Sequence, residues 1–89
     1  MTKTIFQLPL MVNVPSQTIQ IPKGSHILSI TLINDNVYIH YLSEIGNTYE
    51  TKRLGCYASG STVPDNPGFF LGSIERYGTL YHYFESPEL

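Results

Sequence analysis

Disulfide and metal chemistry have almost no material in this 89-residue chain. It holds one cysteine, Cys56, and no tryptophan. A lone cysteine cannot close an intramolecular disulfide, and no group of Cys and His residues has zinc-site spacing. No metal or other cofactor is therefore expected. Positive charge is equally scarce. Lys3, Lys23, Lys52, Arg53 and Arg76 are scattered through a chain of net charge -2, which argues against general nucleic-acid binding. The seven carboxylates include no close pair suited to acid–base hydrolysis or a two-metal centre. No apolar run reaches transmembrane length. The opening Met1-Thr2-Lys3-Thr4 lacks the apolar stretch of a secretory signal, so a cytosolic location is the expectation. Helical periodicity is missing too: no segment shows an i, i+3, i+4, i+7 apolar stripe.

What is present has period two. Ile27 to Ile33 alternates, placing Leu28, Ile30 and Leu32 on one face and Ile27, Ser29, Thr31 and Ile33 on the other. Asn34-Asp35-Asn36 is a turn set that tolerates positive φ, and Val37 to Leu42 alternates again, giving a hairpin. Thr4 to Val12 is strand-like, with Pro9 consigning part of it to an edge or bulge. Gln17 to Ile21 and Tyr49 to Tyr57 are further strands. Phe69 to Arg76 and Thr79 to Glu85 form a second hairpin, with Tyr77-Gly78 at its tip. The fold class expected is all-β, a small antiparallel sandwich or barrel of six to seven short strands, forming a single domain over residues 1–89. The tail from Ser86 to Leu89 is expected to fray or to pack on a neighbouring subunit. So short a chain buries only about 60–65% of its unfolded surface. With no disulfide or metal to help, homo-oligomerisation is the expected further source of burial.

The segment Gly55-Cys56-Tyr57-Ala58-Ser59-Gly60-Ser61-Thr62 carries the chemistry most worth testing. Glycine lets backbone amides turn toward an anion, and Ser59 and Ser61 add hydroxyl donors around Gly60. Lys52 and Arg53 precede it and Arg76 follows, a set that would neutralise a phosphate or carboxylate. The alternative reading is a long β-connection whose Pro and Gly merely limit its entropy. Cys56 with His40 or His82 would make a nucleophile and base, set against a half-buried strand cysteine. His40 and His82 lie among tyrosines in mid-strand. They are read either as cross-strand packing or as an aromatic platform for a planar ligand, with Tyr57, Tyr81 or Tyr83 stacking and His82 as hydrogen-bond partner. Seven tyrosines exceed what so small a core can hide, so some should line an interface or a pocket.

The stretches "TIFQLPL", "QTIQIPKGSHILSI" and "GFFLGSIERYGTLYHYFE" resemble a family of small, uncharacterised domains encoded by bacteriophages. The likeness touches Pro22, Lys23, Gly24, Ile27, Leu28, Ser29, Arg53, Gly55, Leu71, Gly72, His82, Phe84 and Glu85. After Gly55 the chain departs from that pattern: Cys56-Tyr57-Ala58-Ser59-Gly60 stands where the family has a compact Gly-Thr-Gly loop. The resemblance implies no reaction. It implies a phage accessory protein, acting in the host cytosol against host defence. Two mechanisms follow as expectations. One is a homo-oligomer that sequesters a small anionic ligand, such as a cyclic or modified nucleotide signal, in pockets between its subunits. The other is an inhibitor or adaptor that binds a host defence protein through a tyrosine-rich face or an open strand edge. An enzymatic role is not expected.

Overall fold

A computed structural model describes residues 2–87. Seven strands form two antiparallel sheets, with no helix among the described residues: β1 (Thr4–Leu10), β2 (Gln17–Pro22), β3 (His26–Ile33), β4 (Asn36–Ser43), β5 (Tyr49–Ala58), β6 (Phe69–Arg76) and β7 (Thr79–Glu85). One sheet has the order β1-β4-β3, the other β2-β5-β7-β6. Both remain open-edged, so the architecture is a sandwich and not a closed barrel. β1 is an edge strand, the position to which Pro9 restricts it.

Both hairpins turn on two residues with positive φ, the backbone of a type I′ turn. In β3–β4 these are Asn34 (φ 49°) and Asp35 (φ 66°), and in β6–β7 they are Tyr77 (φ 52°) and Gly78 (φ 83°). Alternation fills the space between the sheets with Leu10, Ile19, Ile21, Ile30, Val37, Ile39, Tyr41, Leu54, Cys56, Ile74 and Tyr83. The β1–β2 connection is pinned by buried Gln17. Its Oε1 accepts from Met11 N and its Nε2 donates to Met11 O, both at 2.9 Å. The sheets approach closely at Gly72, where a Cβ would lie 3.3 Å from Ile30 Cβ.

Simple alternation fails in β3. A bulge falls between Ile27 and Ser29, so Ile27 turns inward with Ile30 and Leu32 while Leu28 stands exposed. The face expected for Ile27 and Leu28 is thereby exchanged, because a bulge places two residues opposite one. A second bulge lies between Phe70 and Gly72 in β6. Of the tail, Ser86 is tied down by donating its N–H to Arg53 O at 2.9 Å. Glu88 and Leu89 lie outside the described residues.

Candidate functional site

Topology explains the length of the segment after Gly55. β5 and β6 both run antiparallel to β7, which lies between them, so they are parallel to each other. Parallel strands in one sheet require a crossover connection. Ala58 sits opposite Tyr81 and Phe69 opposite Glu85. The chain must therefore return by four strand positions, roughly 13 Å, while crossing two strand spacings, roughly 10 Å. Ser59 to Gly68 spans that gap. The inner face of β7 is filled by the opposing sheet, so the passage is over the outer face.

His82 anchors the start of this crossover. Its Nε2 lies 2.8 Å from Ser59 Oγ and its Nδ1 lies 2.6 Å from Ser73 Oγ. A neutral imidazole donates at one nitrogen and accepts at the other, and a hydroxyl satisfies either role. Ser59 N donates to Leu80 O (2.9 Å), and Ser61 N donates to Ala58 O (3.0 Å) through a turn in which Gly60 has φ 92°. Of the groups expected to meet an anion, the Ser59 hydroxyl is thus taken by His82, and the amides on either side of Gly60 close the loop's own turn. Ser59 and His82 have the reach of a nucleophile and its base, but the far nitrogen of the imidazole meets Ser73 instead of a carboxylate. The arrangement is a clamp on the crossover.

The three cations of the expected anion site do not meet. Side chains alternate along β5, so Lys52 points inward and Arg53 outward. Lys52 Nζ is neutralised by Glu85 (3.1 Å) and Glu50 (3.9 Å). Arg76 pairs with Thr79, seven positions along the sheet from Ser86, whose N–H bonds Arg53 O. That is roughly 23 Å. Arg76 instead lies over the Tyr77 ring, 5.2 Å from its centroid. Strand phase and register therefore keep Lys52, Arg53 and Arg76 of one chain from converging on a single phosphate. β5 outruns β7 beyond Leu54, leaving a cleft of about 290 Å³ lined by residues 50–53, Glu85, Ser86 and Pro87. Its two cations face two carboxylates, a balance that does not favour an anion.

The aromatic platform is also divided by alternation. Tyr57, His82 and Phe84 share the outer face. The Tyr57 ring covers Gly55, lies 6.1 Å from Phe84, and Phe84 meets Phe70 edge-on at 5.5 Å. Tyr81 and Tyr83 point the other way. Tyr81 packs against the core, and Tyr83 is wholly enclosed with its hydroxyl donating to Met11 O at 3.0 Å. Neither can stack on a ligand beside His82, which corrects that expectation. Burial, and next the neighbouring Cys56 thiol, push the Tyr83 phenol far above its ordinary range. Cys56 is buried and its Sγ accepts from Asn13 N at 3.3 Å. It has no histidine partner, since His40 lies on the outer face of the other sheet, bonded to Thr31 Oγ1 at 2.6 Å. Among the described residues, no cluster of His, Cys, Asp and Glu could hold a metal ion.

Sequence reasoning passed over the β6–β7 tip as a binding feature. Tyr77 is 79% exposed, and Phe69 and Phe70 at the other end of β6 are 72% and 59% exposed. The signal was available: a two-residue hairpin turn favours Asn or Gly at its first position, and tyrosine stands there. No match to the chain was found among curated proteins or among solved structures. A family model described as a domain of unknown function, DUF7352, matches residues 1–89, and the chain belongs to that family.

Proposed function

We propose that this domain is a non-enzymatic binding module that engages a protein partner through its β6–β7 hairpin. Tyr77 carries the reading. A bulky aromatic in the left-handed region is an outlier for its residue type, and such strain gathers at functional positions. Here it holds a large ring in solvent with Arg76 laid against it. Tyr and Arg are the residues most enriched where binding energy concentrates. β6 is also an edge strand whose start presents Phe69 and Phe70, and an open edge admits an added strand. The flat, projecting presentation suits a macromolecule better than a small molecule, whose sites are concave. The resemblance to phage-encoded accessory domains makes a host defence protein, met in the host cytosol, the class of partner.

Sequestration of an anionic nucleotide is the second reading. It rests on Arg53, the exposed cation of the outer face, with Tyr57 and Phe84 nearby. Glu50 and Glu85 in the adjoining cleft weigh against it.

Affinity capture from bacterial extract with immobilised domain tests the proposal. One protein should be retained by the wild type and lost with both Tyr77→Asn and Phe70→Ser, while Thr18→Ser on β2 keeps it. If the same captures retain nothing and native mass spectra show whole-number nucleotide uptake, sequestration replaces this reading.

A further inference from the structure

The two outer faces of the sandwich differ in charge. That of the β2-β5-β7-β6 sheet carries Arg53 and Glu75 and is crossed by the Ser59–Gly68 connection. That of the β1-β4-β3 sheet is bare. Its outward rows pair Ile5 with Leu42, Gln7 with His40 and Pro9 with Tyr38, and β3 contributes His26 opposite Leu42 together with Ser29, Thr31 and Ile33. None of these strand positions is Lys, Arg, Asp or Glu, although the chain has five basic and seven acidic residues. Charges begin only beyond the strand ends, at Lys3, Asp35 and Glu44. Ile5 is 62% exposed, and Leu28, set out by the bulge, 45%. A charge-depleted centre with a polar rim is the make-up of an interface core.

We propose that this face docks a second copy of the same chain, sheet against sheet. A two-fold interface sets one patch against itself, so any charge near the axis would meet its own like. This face has none to oppose, whereas the other outer face has both charges and a loop in the way. The domain's size supplies the driving force: a second sheet packed here, about 10 Å away, would bury apolar area that a chain this short cannot bury alone. His40 is held by Thr31, so the middle row is ordered before docking. The inference goes beyond the hairpin reading and uses a separate surface, leaving β6–β7 free in the assembly.

Sedimentation velocity and light scattering of the full chain, over a dilution series from millimolar to micromolar, test it. The wild type should be dimeric at the upper end. Gln7→Glu, Ser29→Glu and Tyr38→Glu should each weaken association at least tenfold, while Thr18→Glu on the opposite outer face should not. Gln7 is exposed, so its variant remains folded even if Tyr38→Glu does not, and circular dichroism separates the two cases. A wild type monomeric throughout, or a dimer indifferent to Gln7→Glu and Ser29→Glu, overturns the proposal. Neither result bears on capture by the hairpin.

Discussion

Ser59 Oγ sits 2.8 Å from His82 Nε2, and this bond ties a parallel crossover to the strand it must pass. Thr62 to Asn66 are exposed throughout, so the ends of the connection hold it in place. Ser59→Ala should cost about 1 kcal/mol, the usual net worth of a side-chain hydrogen bond. Its clearer effect should be local: limited proteolysis between Thr62 and Asn66 becomes several-fold faster at little change in global stability. Unchanged cleavage would mean that the crossover is held by something other than His82.

Two glycines are fixed by what surrounds them. A Cβ at Gly68 would strike the carbonyl oxygen of Glu85 and lie 3.0 Å from Ser86 Cα, and its φ of 103° disfavours any side chain. Backbone cannot give way cheaply, so Gly68→Ala should cost upwards of about 3 kcal/mol. Gly72 has ordinary φ, and its tightest contacts would be with Ile30 Cβ and Cγ1, both at 3.3 Å. Gly72→Ala should cost about 1–2 kcal/mol by overpacking. That cost should shrink in an Ile30→Ala background, since Cγ1 is half of the conflict. Urea unfolding of the wild type, the three single variants and the Gly72→Ala/Ile30→Ala double variant measures both costs and the coupling; a coupling of zero would show that the sheets simply move apart.

How much of this is legible in the sequence depends on whether the period holds. Strand positions, both two-residue turns and the edge position of β1 follow from alternation, Asn34-Asp35, Tyr77-Gly78 and Pro9. The bulges at Leu28 and Leu71 do not, because one inserted residue leaves no compositional mark yet exchanges the faces beyond it. Alternation alone is enough to separate Tyr81 and Tyr83 from His82, since odd and even positions of β7 face opposite ways. The split of Lys52 from Arg53 is equally a matter of parity. What parity cannot supply is strand order: that β7 lies between β5 and β6, and so that Ser59–Gly68 is a crossover, depends on pairings formed far apart in the chain.

Tyr77→Asn should stabilise the fold while abolishing capture of the partner. Asparagine tolerates the left-handed region that a tyrosine occupies at a cost of about 1 kcal/mol or more. The Arg76–Tyr77 contact, worth about 0.5 kcal/mol at an exposed site, opposes the gain. The net rise in melting temperature should be a few degrees, since about 4–8 °C corresponds to 1 kcal/mol in a domain of this size. It should be larger in an Arg76→Gln background, where the cation–π contact is already gone. A fall in melting temperature in both backgrounds would make Tyr77 a structural residue and remove the strain on which the binding role rests.

Alkaline pH should expose the buried phenol of Tyr83. Burial, followed by the neighbouring Cys56 thiol, raises its pKa well above the ordinary value of 10.0, so the native state holds a proton that the unfolded chain releases. Stability from this group is therefore complete below pH 10 and declines as pH rises past it. Tyr83→Phe loses the hydrogen bond to Met11 O and should cost about 1 kcal/mol at neutral pH. Above pH 10 the variant should lose stability less steeply than the wild type, because phenylalanine has no proton to release. A residual slope should remain from Tyr41, whose phenol is also raised, chiefly by burial and then by Tyr49. Denaturant midpoints followed from pH 8 to 12 give both slopes. Parallel curves would show that Tyr83 ionises within the fold, its enclosure between the sheets being looser than its burial implies.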